Sequence, residues 1–164
     1  MFDQIAVYTT DIEGQVIKAA HAGLGDWTRD VVTADARVAA TLDGHSEGPP
    51  MEPVQFQAKL AFNYEMNVGL EFEYIQPITP VNYIKRLGIV PGQIAHMGIH
   101  VEEGQDPFQI KMDLGLEHLI QDCWTQRHEN RDVPADRTYH YTIWTSRLFP
   151  WPVKLIERHT KSIG

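Results

Sequence analysis

The spacing of apolar positions changes along the chain, and each change marks an element. Residues 5–9 are a short apolar run of strand length, and Asp11 then stands where a helix N-cap belongs. Val16, Ile17, Ala19 and Ala20 follow at helical spacing, and Gly23 or Gly25 ends the helix. Residues 31–38 mix valine, threonine and alternating small residues, which predicts a strand, and residues 45–50 read as a loop. Val54, Phe56, Ala58, Leu60 and Phe62 alternate with Gln55, Gln57, Lys59 and the later Asn63, the clearest strand pattern in the chain. Asn67 and Gly69 mark a hairpin turn, after which residues 70–76 alternate again until Pro77 stops them.

The same order then returns. Residues 94–101 predict a strand and Gly104 a turn; Asp106-Pro107 is an N-cap with proline at the first helical position, and Gly115 follows the short helix. Further strands are expected at 119–127, 137–146 and 153–158, with a polar loop at 128–136 and a turn at Phe149-Pro150. Between the halves, residues 78–92 hold two prolines and the apolar positions Val81, Tyr83, Ile84 and Leu87. The chain thus divides into a first βαβββ module at 1–77, a linker at 78–92 and a second βαβββ module at 93–164. The two modules form one compact domain.

At 164 residues in total, neither half buries much core by itself, because a sheet with one helix on one face leaves its other face bare. Pairing the sheets covers that face. The expected fold is α+β, with the two βαβββ modules joined in a curved mixed sheet around a central trough, and a trough between related half-sheets is a concave place for a small-molecule ligand.

Composition narrows the partners. Fourteen Lys plus Arg against 22 Asp plus Glu leave a net charge of -8, which repels a polyphosphate backbone, so nucleic acid is not an expected partner. No run of eighteen uncharged apolar residues occurs, so no membrane span is expected. Met1-Phe2-Asp3-Gln4 leads directly into an apolar strand without the basic end and cleavage site of a signal peptide, which points to a cytoplasmic protein. Cys123 is the sole cysteine; it closes no internal disulfide and lacks partners for a thiolate zinc site. The sequence contains no phosphate-cradling glycine loop, no Gly-x-Ser-x-Gly elbow and no paired-histidine metalloprotease helix, which leaves kinase, nucleotide-binding and hydrolase readings without support.

Four short strings carry a resemblance. FDQIAVYTTD, LEFEYIQP, AHMGIHVEE and PVKLIERH stand at the opening strand of module one, its last strand, the opening strand of module two and its last strand. Together with the repeated element order, they resemble the vicinal oxygen chelate superfamily, which includes glyoxalases, methylmalonyl-CoA epimerases, extradiol dioxygenases and bleomycin-resistance proteins. The resemblance implies one divalent metal in the trough, with Gln4, Glu73 and His96 at the ligand places. It also implies a glyoxalase-like metalloprotein acting on a small oxygen-rich metabolite, as lyase, isomerase or dioxygenase. Family members pair their modules within a chain or across a dimer, so monomer and homodimer are both open.

The residues make their own case for one site. Gln4 and His96 fall at matching places in the two repeats, and Glu73 lies on a strand face opposite Phe72 and Tyr74, so alternation lets all three enter the trough. An imidazole, a carboxylate and an amide oxygen suit Zn, Ni, Fe or Mn. Glu71 shares the face of Glu73, and only the resemblance chooses between them. His100 lies on the face of His96, and Tyr8 and Trp144 are further pocket candidates; His118, His128 and His140 show no ligand spacing.

The departure is Lys154, which stands where the family's enzymes carry a fourth, acidic ligand. Glu157, three positions along a strand, points to the other face and cannot replace it. Beside a metal, a desolvated lysine acts as a base. Without one, Lys154 takes the cation's place, Glu71 or Glu73 neutralises it in an ion pair, and the protein binds or sequesters a small molecule free of metal. Lys154 and Glu73 are therefore the candidate catalytic pair.

Overall fold

The computed structural model describes residues 2–42, 50–63, 70–131 and 137–160. The expected turn at Asn67 and Gly69 and loop positions 45–49 and 132–136 lie outside the described residues. In chain order the elements are β1 (Gln4–Tyr8), α1 (Ile12–His21), β2 (Thr28–Ala39), β3 (Met51–Asn63) and β4 (Glu71–Pro77). These are followed by α2 (Tyr83–Arg86), β5 (Ile94–Val101), α3 (Pro107–Asp113), β6 (Leu116–His128), β7 (Arg137–Ser146) and β8 (Val153–Thr160).

Local chemistry accounts for the helix boundaries. The Asp11 carboxylate accepts from the N–H of Gly14 at 3.0 Å and caps α1. After α1, Gly23 takes a φ of +91°, and the N–H groups of Gly23 and Leu24 return to the carbonyls of Ala20 and Ala19, closing the helix with the left-handed residue that glycine allows most readily. Asp106 caps α3, with Pro107 opening it. The apolar stripe of α1, Ile12 and Val16, packs on Ala61 of β3 with Trp27 and Tyr74 beside it.

The eight strands close into a barrel in the order β1-β4-β3-β2-β6-β7-β8-β5. Each module contributes four consecutive strands, and its first and last strands run parallel: β1 with β4, and β5 with β8. Two antiparallel seams join the modules, β1 against β5 and β2 against β6. A barrel of eight strands is just wide enough inside for side chains or one small ligand. On β3 the inward face is Phe56, Ala58, Leu60 and Phe62, which join Val32, Ala34, Ile75, Ile143 and Ile156 in the interior cluster.

The segment between modules does more than connect them. α2 lies within residues 78–92, and its Tyr83 and Ile84 are buried in the same interior cluster. Tyr83 is anchored by its backbone N–H, which donates to Gln121 Oε1 at 2.9 Å. No helix among the described residues is long and apolar enough to cross a membrane.

The β1–β5 seam is tight at one point. Gly98 lies opposite Gln4, and a Cβ on residue 98 would fall 2.9 Å from Gln4 Oε1 and 3.0 Å from Gln4 Cβ. Gly98→Ala is expected to lower stability by about 1–3 kcal/mol in urea denaturation, because the added methyl displaces a buried side chain. In an open strand the same change would reduce unfolded-state entropy and stabilise instead. A neutral or stabilising result would show that the seam is looser than described.

Candidate functional site

Strand registers bring five of the sequence-selected residues to one place. Gln4 pairs with Glu71 on one side and Gly98 on the other, and Gly98 pairs with Lys154, giving the row Glu71–Gln4–Gly98–Lys154 across β4, β1, β5 and β8. In the next row Ala6 pairs with both Glu73 and His96. Side chains two apart on a strand share a face, so the rows present Gln4, Glu71, Glu73, His96 and Lys154 to the same interior. Gly98 leaves the gap into which Gln4 fits.

These side chains form a hydrogen-bonded chain. Gln4 Nε2 donates to Glu71 Oε1 at 3.0 Å and Glu73 Oε2 at 3.3 Å, and Gln4 Oε1 lies 2.9 Å from His96 Nε2. Since an amide oxygen only accepts, His96 carries its proton on Nε2, and its Nδ1 accepts from the Tyr83 hydroxyl at 2.6 Å. Burial, with a further push from the charge of Lys154, holds the His96 imidazole well below its ordinary value, so it is neutral. Burial pushes the Glu73 carboxyl up to about 8, against the opposing charge of Lys154 and with an added push from Glu71. The Tyr83 phenol is likewise raised by burial.

Lys154 meets the cavity differently from the sequence expectation. Among the described residues no ion pair joins it to Glu71 or Glu73; its Nζ stands 4.5 Å from the centre of the Tyr141 ring. The expected neutralising pair is therefore replaced by a cation–π contact, which holds the ammonium beside an apolar wall without cancelling its charge.

All five residues line one cavity of about 340 Å³, together with His100. His100 Nδ1 is bound to Asp3 Oδ2 at 2.8 Å. Burial works to raise the Asp3 carboxyl, but the hydrogen bond and charge of His100 outweigh it and hold the carboxyl below its usual value. Tyr8 and Trp144 do not line this cavity. Tyr8 shares the face of Gln4 but lies four residues further along, about 13 Å at strand rise. On β7 the cavity takes Tyr139, Tyr141 and Ile143, so Trp144 falls on the opposite face, where it packs with Leu155 and under the ammonium of Lys111. Cys123 is buried, and burial pushes its thiol up to about 11, so it is not a nucleophile.

The cavity also holds residues the sequence reading passed over. His128 lines it and binds Asp30 through Nδ1 at 2.6 Å, while Asp30 Oδ1 accepts from the backbone N–H of Val31 and Asn130. A signal was present: Asp30 sits in phase with the inward residues Val32 and Ala34, a carboxylate on an otherwise apolar face. Arg131, over the Phe62 ring, and Arg158, over the Tyr139 ring, add two more cations to the wall.

A barrel of paired βαβββ modules, with the opening and closing strands of each module facing one trough, is the glyoxalase-like fold of the vicinal oxygen chelate proteins. Among solved structures, methylmalonyl-CoA epimerase from Mycobacterium tuberculosis is similar, with a TM-score of 0.50 over 95% of this chain and 86% of that one. The two sequences are 10% identical, so the likeness concerns the fold alone. No protein-family model matches the sequence. No curated protein matches it either.

A metal would need the free lone pairs of Gln4 Oε1, His96 Nε2 and Glu73 to converge. Here Nε2 carries a proton aimed at Oε1, and none of the polar atoms of the three residues is buried without a partner. The fourth place holds an ammonium, which repels a dication. As arranged, Gln4, Glu73 and His96 are hydrogen-bonded to one another, and with the ammonium of Lys154 at the fourth place the set as it stands does not fit a bound ion.

The raised carboxyl has a measurable consequence. Glutamate ordinarily titrates near 4.5, so between about pH 4.5 and 8 the folded protein holds a proton that the unfolded chain releases, and the contribution of Glu73 to stability falls as pH rises through that window. His96 acts in the opposite sense: its depressed value removes stability as pH falls below 6.5. Glu73→Gln isolates the first effect. Relative to the unaltered protein, its stability in urea should increase between about pH 5 and 8 by at least about 1 kcal/mol. A difference that is flat with pH would refute the buried neutral acid.

Proposed function

We propose that the trough binds a small anionic metabolite with an apolar body, and that Lys154 supplies the positive charge that a divalent ion supplies in metal-dependent relatives of this fold. The observation that carries the reading is the placement of Lys154: it stands in the row of Gln4 and Gly98, seated on Tyr141 and unpaired with either glutamate. Near neutral pH Glu73 is largely protonated, so among the described residues the charged side chains lining the wall are Lys154, Arg131 and Arg158 with Glu71. In a chain of net charge -8, that is a local reversal of sign which draws anions. Phe56, Leu60, Ile75 and Ile143 supply the apolar wall.

In this reading Lys154 and an arginine hold the anionic oxygens, and Gln4 and His96 stay as a rigid, neutral backing. Glu73 is a buried acid able to give a proton to a ligand oxygen. The pairs Asp30–His128 and Asp3–His100 place two oriented imidazoles on the same wall.

The metal-dependent reading has one specific support, the convergence of an amide oxygen and an imidazole nitrogen 2.9 Å apart beside a buried carboxylate. The same set of variants separates the two readings. Phenylpyruvate and benzoylformate should bind at least about tenfold more tightly than their methyl esters in calorimetric titration, and Lys154→Met should erase that preference. Lys154→Glu should instead create affinity for Mn²⁺ or Ni²⁺ that a second change, His96→Gln, abolishes. Equal binding of acids and esters, or a preference that survives Lys154→Met, would overturn the anion site. Affinity of the unaltered protein for Mn²⁺ that His96→Gln removes would establish the metal reading.

A further inference from the structure

The outer surface of the same sheet carries a second cluster, unrelated to the cavity. On β7 and β8 the residues facing inward are Tyr139, Tyr141, Ile156 and Arg158. Their neighbours His140, Glu157 and His159 therefore face outward. The antiparallel register sets His140 directly opposite Glu157, and His159 follows two positions on, on the same face. We propose that His140, Glu157 and His159 form a site for a divalent ion of the zinc class on the outer wall of the barrel.

The distances suit such an ion. Glu157 Oε2 lies 3.7 Å from His140 Nδ1 and 3.5 Å from His159 Nε2, and the donor atoms all lie within 4.8 Å of one another. Donors of a tetrahedral zinc, with bonds of about 2.0–2.1 Å, are separated by about 3.3 Å. Closing the two spacings to Glu157 takes a few tenths of an ångström, and the two histidine nitrogens, within 4.8 Å of each other, approach by at most about 1.5 Å through side-chain rotation, in residues that are not deeply buried.

The surroundings also prepare His140 as a ligand. Its Nε2 is hydrogen-bonded to Asp122 Oδ1, while the other oxygen of Asp122 accepts from Arg37 at 3.1 Å. Asp122, bound on both sides, fixes the orientation of the imidazole through Nε2 and leaves Nδ1 facing Glu157, where a metal would take the place of a proton. Histidines that bind metals almost always donate their other ring N–H to a carboxylate or carbonyl in this way, and that partner raises their basicity. Asp122 comes from β6, so three adjacent strands build the arrangement. The site shares no residue with the trough.

Two imidazoles and one carboxylate select Zn²⁺, Co²⁺, Ni²⁺ or Cu²⁺ over Mg²⁺ and Ca²⁺, which prefer all-oxygen coordination. Three protein donors on an exposed sheet leave at least one position for water or an external ligand, the arrangement of an open site rather than a closed structural one.

The test is a Zn²⁺ titration of the chelator-stripped full chain in competition with a chromophoric chelator. One equivalent should bind. His159→Ala and Glu157→Gln should each weaken binding at least about 100-fold, and Asp122→Asn, which removes no ligand, should weaken it by about 10–100-fold. His96→Gln should leave it unchanged. Co²⁺ in place of Zn²⁺ should give a visible absorption band that is lost with His159→Ala, and the thermal unfolding of each variant reports whether the barrel is intact. The proposal is overturned if no saturable one-to-one binding occurs. It is equally overturned if binding survives His159→Ala and Glu157→Gln but disappears with His96→Gln, which would place the metal in the trough.

Discussion

The antiparallel pairing of β1 with β5 is the constraint on which the interior depends. It joins the opening strands of the two modules and sets Gln4 against Gly98. Because each opening strand is also parallel to the closing strand of its own module, this single register fixes which residues of β4 and β8 lie beside Gln4 and His96. A slip of one residue would turn the whole set outward, since side chains alternate across a strand. The small size of residue 98 is part of the same constraint, because it is what admits the Gln4 side chain between His96 and His100.

Around that seam, burial and charge settle the character of the trough. A carboxyl removed from water on every side keeps its proton to about pH 8, and an imidazole in the same place stays neutral. The amide of Gln4 joins the two. Charge is thereby left to residues further along the wall, each cation lying over an aromatic ring: Lys154 on Tyr141, Arg131 on Phe62, Arg158 on Tyr139. An aromatic face tolerates a partly desolvated cation without neutralising it.

The sheet has two chemical faces. On β8, Lys154, Ile156 and Arg158 belong to the interior and Glu157 and His159 to the exterior, so one strand serves the trough and the outer His–Glu cluster with alternate residues. The fold positions both sites but dictates the chemistry of neither; that comes from which side chains occupy the inward and outward phases.

Much of this was legible in the linear order. The repeated βαβββ pattern, the caps at Asp11 and Asp106, and the inward phase of β3 follow from local period and local hydrogen bonding, which act between residues close in the chain. Alternation alone also ruled out Glu157 as a neighbour of Lys154 on the inner face. What it left open was every question of register between distant strands. His128 meets Asp30 across 98 positions, and His140 meets Asp122 and Glu157 across three strands. Tyr83 reaches His96 only because a segment that read as a linker folds back into the barrel. Trp144 was assigned to the pocket on aromatic character, and only the phase of β7 in the closed sheet sends it outward. The sequence by itself determined the elements and the face of each strand; the pairing of strands, with the burial it imposes, decided which of those faces meet and which charges survive there.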